Sequence, residues 1–251
     1  MKNLRKLVCA ASAAVLLGAA SFANATAVSL QLVLAIDVSG SVDSQEFALQ
    51  RNGYVQAFQS AAVQNAIAAT PGGSIAATFV QWSSGNEQQQ SVGWTLINSA
   101  ASANAFAASI FAAPRAFDGL TAIGSAINYS AGLFDKGFTS TRKVIDVSGD
   151  GENNDGANLA TARANAIAAG ITINGLPIGN NSLATYYQNN VIGGTGAFLE
   201  PASTFADFAD AIGRKLEREI INTTVVPVPA ALPLLASGLL AFGWIARRRK
   251  A

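Results

Sequence analysis

The sequence predicts an α/β fold, a doubly wound and mostly parallel sheet with helices on both faces, on three observations. The apolar run at residues 30–36 stops abruptly at polar residues and Gly40, as a strand buried on both faces does. Stretches with helical apolar spacing then alternate with further short strand-like runs along the chain. The last helical stretch carries one continuous apolar stripe, the face that such a helix lays against a sheet.

The elements follow in order. After the first strand a helix begins at about Ser44, with Asp43 as its N-cap facing Glu46 and with Phe47, Tyr54, Val55 and Phe58 on one face. Residues 74–82 and 90–95 read as two strands joined by the polar loop around Gly85 and Asn86, a hairpin at one edge of the sheet. Helices are expected at residues 99–111, stopped by Pro114, and at 121–134, where Ile123, Ile127, Ala131 and Phe134 recur at helical spacing. Residues 143–148 and 170–174 are further strands, separated by an Ala-rich helix at 158–169. The final helix, about 204–221, places Phe205, Phe208, Ile212, Leu216 and Ile220 on one stripe, with Asp210–Arg214 and Lys215–Glu219 as supporting pairs.

The chemistry sits where strands end. Asp37-Val38-Ser39-Gly40-Ser41 follows the first strand directly, and in open α/β sheets ligands bind beyond the carboxyl ends of strands. Alternate residues of an extended loop point the same way, so Asp37, Ser39 and Ser41 can aim their oxygens at one point. An oxygen-only donor set suits a hard cation such as Mg²⁺. Thr121 and Asp150-Gly151 occupy loops beside a helix and a strand of the same stack.

These three ordered segments resemble the metal-ion-dependent adhesion site of von Willebrand factor type A domains. The wording is closer still to a secreted bacterial subfamily of unassigned function, through Thr121-Ala122-Ile123-Gly124, Val144-Ile145-Asp146-Val147-Ser148-Gly149-Asp150-Gly151 and Ile171-Thr172-Ile173-Asn174-Gly175-Leu176-Pro177-Ile178. The resemblance implies a divalent cation, Mg²⁺ first and Ca²⁺ or Mn²⁺ as alternatives, held directly or through water by Asp37, Ser39, Ser41, Thr121 and Asp150. It also implies a coordination position left for a carboxylate from a partner. The family's third loop usually runs from Thr or Ser directly into Asp-Gly, whereas Gly149 intervenes here, which makes Asp146 a competitor for Asp150. Ile-Asp-Val-Ser-Gly occurs twice, at residues 36–40 and 145–149, but its flanks do not repeat, so two strand ends of similar chemistry explain it better than an internal repeat. The acidic string after Asp150 is not an EF-hand loop, because Asp155 and Thr161 stand where that loop needs Gly and Glu.

Both ends of the chain read as targeting segments. Lys2, Arg5 and Lys6 precede an apolar stretch, and Ala23-Asn24-Ala25 has the form of a signal peptidase site, so the mature chain is expected to begin at Thr26. Residues 26–221 then form one domain, residues 222–229 a Thr/Val/Pro linker, and residues 230–251 an apolar anchor with a basic tail. The uncharged run 230–246 spans roughly 25 Å as a helix, with Arg247 to Lys250 held on the cytoplasmic side. Pro-rich motif, short apolar helix and basic cluster together resemble the PEP-CTERM sorting tail, with Pro-Val-Pro-Ala in place of Pro-Glu-Pro. That resemblance implies a sorting protease of the exosortase type as a partner; a permanent membrane anchor is the alternative. Either way the domain is expected at the cell surface, in an extracellular matrix or membrane-anchored facing outward.

Composition removes whole function classes. The chain has no histidine, and its single cysteine, Cys9, lies in the leader, which excludes Ser-His-Asp and Cys-His chemistry and ordinary zinc sites in the mature domain. Without the three leader and four tail cations, nine basic residues face fifteen acids, a net charge of −6 that offers nothing to nucleic acid. No phosphate-binding loop or dinucleotide fingerprint follows a strand. Trp82, Trp94, Tyr186 and Tyr187 are expected to pack at strand ends and helix faces, with a sugar-stacking surface as the alternative. The expected function is a non-enzymatic adhesion or interaction module that binds an acidic protein or polysaccharide through its cation; a metal-dependent hydrolase or a structural surface domain with an idle site are the alternatives.

Overall fold

The computed structural model describes residues 25–221. The expected leader up to residue 24, the expected linker, the apolar run and the basic cluster lie outside the described residues.

A five-stranded sheet forms the middle layer. Its centre is β2 (Gln31–Asp37), after the two-residue β1 (Thr26–Ala27), and every β2 residue is buried, as its unbroken apolar run requires. β3 (Ile75–Trp82) pairs with one side of β2 in parallel, and β4 (Gln88–Ile97) closes that edge as the antiparallel partner of β3. On the other side lie β6 (Lys143–Gly149) and then β7 (Ile171–Pro177), both parallel, giving the order β4-β3-β2-β6-β7. The short β5 (Phe138–Thr139) pairs with β1 away from the main sheet.

Two apolar layers flank the sheet because strand side chains alternate. Leu30, Leu32, Leu34 and Ile36 face α1 (Ser44–Gln59), α2 (Ala61–Ala68), α3 (Ala100–Ala112) and α7 (Phe208–Ile221), where Tyr54, Phe58, Phe106 and Phe208 fill the layer. Val33 and Ala35 face α4 (Ile123–Ala131), α5 (Leu159–Ala168) and α6 (Asn181–Tyr186) through Ile123, Ile127, Ala162 and Leu183. Each fully buried Leu or Ile contributes about 1.5–3 kcal/mol, so the central strand is an anchor from which the site loops emerge.

The doubly wound plan, the edge hairpin and the Asp43 cap agree with the sequence reading. Asp43 accepts the amides of Gln45 and Glu46, while its own amide donates to Glu46 at 2.8 Å. Several boundaries differ for local reasons. The first helical region is broken at Ser60, which turns extended and caps α2 by accepting the Val63 amide at 3.2 Å. The expected helix 121–134 begins only at Ile123, leaving Thr121 in the preceding loop. β7 runs on through Gly175 to Pro177, its outer edge covered by bridges to Gly193, Leu199 and Ala202. The last helix opens with a separate 3₁₀ turn at Phe205–Asp207, and Arg214 pairs with Glu200 at 2.8 Å rather than with Asp210.

The expected Lys215–Glu219 pair forms, but in the interior. Both are buried, and the Lys215 ammonium also pairs with Asp146 in the middle of β6. Asn174 of β7 donates to Glu219 at 2.8 Å, completing a polar cluster between the sheet and α7. This arrangement settles Asp146 in an interior ion pair, away from the loops at the strand ends. Trp82 and Tyr187 are fully buried, and Trp94 donates to the Leu133 carbonyl at 2.9 Å with its ring against Phe134 and Phe138, so these three aromatics offer no exposed stacking surface.

Candidate metal centre

Asp37 is the last residue of β2, and β6 ends beside it at Gly149, so the loops 38–42 and 150–157 leave the sheet as neighbours. After Asp37 the chain turns at Ser39–Val42 rather than keeping the extended course expected: Val42 N–H donates to the Ser39 carbonyl at 3.0 Å. That turn is what converges the side chains. Ser39 and Ser41 hydroxyls lie 3.1 Å apart, and the Ser39 amide donates to Asp37 Oδ1 at 2.8 Å. Gly40 sits at the tip because nothing larger fits: a Cβ there would lie 2.8 Å from the Asp118 carbonyl, and the Gly40 amide donates to Gly119 O at 2.7 Å.

The two distant segments join the same group. Ser41 Oγ donates to Asp150 Oδ1 at 2.7 Å, and Thr121 Oγ1 approaches Ser39 Oγ at 3.4 Å. All five residues singled out in the sequence therefore form one continuous hydrogen-bonded set. They are also graded in depth. Asp37 is fully buried, Ser39 and Thr121 are nearly so, Asp150 is half-buried and Ser41 reaches solvent. The extra Gly149 does not push Asp150 out of reach.

Several residues that the sequence did not single out hold this arrangement. Gln50 of α1 donates to the Asp37 carbonyl at 3.1 Å, and Arg115 donates to the Val38 and Ser39 carbonyls at 3.1 and 2.9 Å. Thr121 and Asn154 exchange two bonds of 2.9 Å, amide to side-chain oxygen and amide to carbonyl, which ties the Thr121 loop to the loop after Asp150. Asn153 accepts the Gly124 amide at 2.9 Å and so supplies the start of α4 with a partner its own preceding residue, Ala122, cannot provide. The signal for this pair was its position just after Asp150-Gly151.

Within the five-residue group the electrostatics single out Asp37. Burial raises its acid to about 7; Asp150 adds a smaller push in the same direction, and Ser39 and the nearby Asp150 amide oppose it. Its Oδ2 is buried without a hydrogen-bond partner. An orphaned buried carboxylate oxygen is costly unless something positive completes it. The donor set is all oxygen, with two carboxylates and three hydroxyls, and that chemistry fits a hard divalent cation. Because hydroxyls make up most of the set, no group of three or more His, Cys, Asp or Glu marks a metal site among the described residues.

Solved structures with the same architecture are distantly related in sequence. Proximal thread matrix protein 1 from the mussel byssus aligns with a TM-score of 0.59 at 16% identity, over 78% of this chain and 49% of that one. A further structure of it, described as having a zinc-occupied MIDAS motif, gives 0.58 at 13% identity over the same shares, 78% and 49%. The von Willebrand factor type A protein from Catenulispora acidiphila aligns at 0.55 and 16% identity, over 77% of this chain and 43% of that one. The pilus adhesin SpaC from Lactobacillus rhamnosus GG aligns at 0.57 and 16%, over 77% and 31%. The chain thus spans about half the length of the mussel protein and less of the other two. The fold is that of a von Willebrand factor type A domain. No curated protein matches the sequence. The family model described as "Protein of unknown function (DUF1194)" matches residues 27–224, nearly the whole of the described fold, and the chain belongs to that family.

Proposed function

We propose that this domain is a cation-dependent binding module of the cell surface or extracellular matrix rather than an enzyme. Asp37, Ser39, Ser41, Thr121 and Asp150 hold a divalent cation, Mg²⁺ in the first place, and an acidic protein or polysaccharide docks through it. The observation that carries this reading is Asp37 Oδ2, a buried carboxylate oxygen without a partner on the deepest residue of a group with three hydroxyls and a second carboxylate. A cation bound there keeps affinity for an outside carboxylate, because only two formal negative charges surround it. Ser41 and Asp150, the outermost of the five, leave that side open to a partner.

The fold neighbours add support: one is a matrix protein described with zinc in the corresponding motif, and another is a pilus adhesin. The surroundings favour binding over hydrolysis. Tyr54 and Tyr187, the buried phenols close to the strand ends, are both pushed well above their ordinary value by burial first and neighbouring carboxylates second, so neither serves as a base at neutral pH. Residues 1–25 and 230–251 direct the domain outward, with the tail removed by a sorting protease. Mass spectrometry of the surface form tests this: a chain starting near Thr26 and lacking residues 230–251 is expected, and an intact carboxyl terminus would mean a permanent anchor.

Retention of polygalacturonate, as an acidic polysaccharide, and of an acidic peptide on immobilised protein tests the binding role. One or both are held in Mg²⁺, released by EDTA and not held by Asp37→Asn. Equal retention of both in chelator would place binding on another face.

A further inference from the structure

Tyr187 opens a five-residue π-helical turn, Tyr187–Val191, directly after α6. Such turns are rare and occur frequently at functional sites. This one drives the Tyr187 ring to full burial beneath the strand ends, where its hydroxyl has no hydrogen-bond partner. A buried phenol normally finds one.

The second unpartnered oxygen of this region, Asp37 Oδ2, faces the same spot. A Cβ placed on Gly149 would lie 2.8 Å from Asp37 Oδ2 and 2.8 Å from the Tyr187 hydroxyl. The two oxygens are therefore no farther apart than two hydrogen-bond lengths, a span that one water closes. Any side chain at residue 149 would block this approach. Gly149 is also the residue by which this third loop departs from the usual order of Ser or Thr running directly into Asp-Gly.

We propose that Tyr187 is a positioning residue of the cation site, donating its hydroxyl through one water to Asp37 Oδ2 across the gap that Gly149 leaves open, while the other lone pair of that oxygen stays free for the cation. This rests on the cation-binding role proposed above and adds a residue to it. The phenol supplies the neutral donor that holds the Asp37 carboxylate in one orientation while Ser39 N–H holds its other oxygen. It contributes no charge, so the cation's attraction for an outside carboxylate is preserved. Hydrogen-bond partners of metal ligands matter in this way because a ligand free to rotate loses affinity.

The test uses Tyr187→Phe, which keeps the ring and removes only the hydroxyl. Mn²⁺ serves as the probe, with affinity read by calorimetry and the geometry around the ion by electron paramagnetic resonance. Mn²⁺ affinity is expected to fall about tenfold with a changed spectrum. The melting temperature in chelator should fall, because the buried Asp37 carboxylate loses a donor. A merely packed tyrosine would leave the melting temperature the same or higher, with unchanged affinity and spectrum, and that result overturns the assignment. If wild-type protein binds no Mn²⁺ at all, the cation-binding reading itself fails and Tyr187 falls with it. Gly149→Ala provides a second reading from the other side of the gap: a folded variant that binds Mn²⁺ as wild type does would also overturn the proposal.

Discussion

The five residues Ile-Asp-Val-Ser-Gly stand at the end of β2 and again at the end of β6, and the two aspartates they contain meet opposite fates. Ile145 pairs with Val33 and Asp146 with Leu34, so the second copy sits three positions earlier in the sheet than the first. An odd offset turns a side chain to the other face. Asp146 lies mid-strand under α7, where the ammonium of Lys215 neutralises it. Asp37 lies at the strand end on the opposite face, with no ion-pair partner among the described residues. Burial holds both acids up at about 7. The same peptide is thus a structural element where the chain provides a cation and a candidate metal centre where it does not.

The largest expected effect breaks the internal half of this comparison. Lys215→Met leaves Asp146 and Glu219 buried without their cation and should cost about 3–5 kcal/mol in denaturant unfolding, with no rescue by Mg²⁺. Rescue by Mg²⁺ would show that the two aspartates are not separate systems. Asp37→Asn breaks the other half. Cation affinity should drop by more than about 100-fold, beyond what loss of a ligand's hydrogen-bond partner costs. Stability in chelator should hold or increase, since an amide is cheaper to bury than an unpaired carboxylate.

A pH series sharpens the contrast. Both acids rise on folding from 3.8 to about 7, so the folded protein keeps protons that the unfolded chain has already released. The contribution of these two groups in chelator is therefore full below about pH 4 and is lost as pH rises toward 7. Saturating Mg²⁺ should offset the Asp37 share of that loss and leave the Asp146 share, as unfolding midpoints across that window would show. The smallest effect is expected from the exposed Arg214–Glu200 pair, where Arg214→Ala should change stability by less than about 1 kcal/mol.

Much of this was legible in the chain. The unbroken apolar run before Asp37 marks a strand buried on both faces, and the order Asp-x-Ser-x-Ser, Thr, Asp-Gly marks the five residues that the fold gathers. The Lys215 cluster was not read, because a Lys and Glu four apart on a helix ordinarily form a solvated pair. Its signal was present all the same: Lys215 and Glu219 follow Phe208 and Ile212 by seven positions each, which puts them on the apolar stripe. Tyr187 gave no such signal, since only the π-helical turn after α6 aims it at the site. Nor did Arg115 and Gln50, whose bonds to the Asp37–Ser39 backbone depend on how α1 and the loop after α3 pack against the strand ends.

Asp37 is expected to require a cation from outside where Asp146 has one from within. Calorimetric titration of Mg²⁺ and Mn²⁺ into the purified protein, beside Asp37→Asn and Asp146→Asn variants shown to be folded, tests it directly. One bound ion per chain in wild type, retained in Asp146→Asn and lost in Asp37→Asn, is the predicted result. Binding that survives in Asp37→Asn or disappears in Asp146→Asn would contradict it.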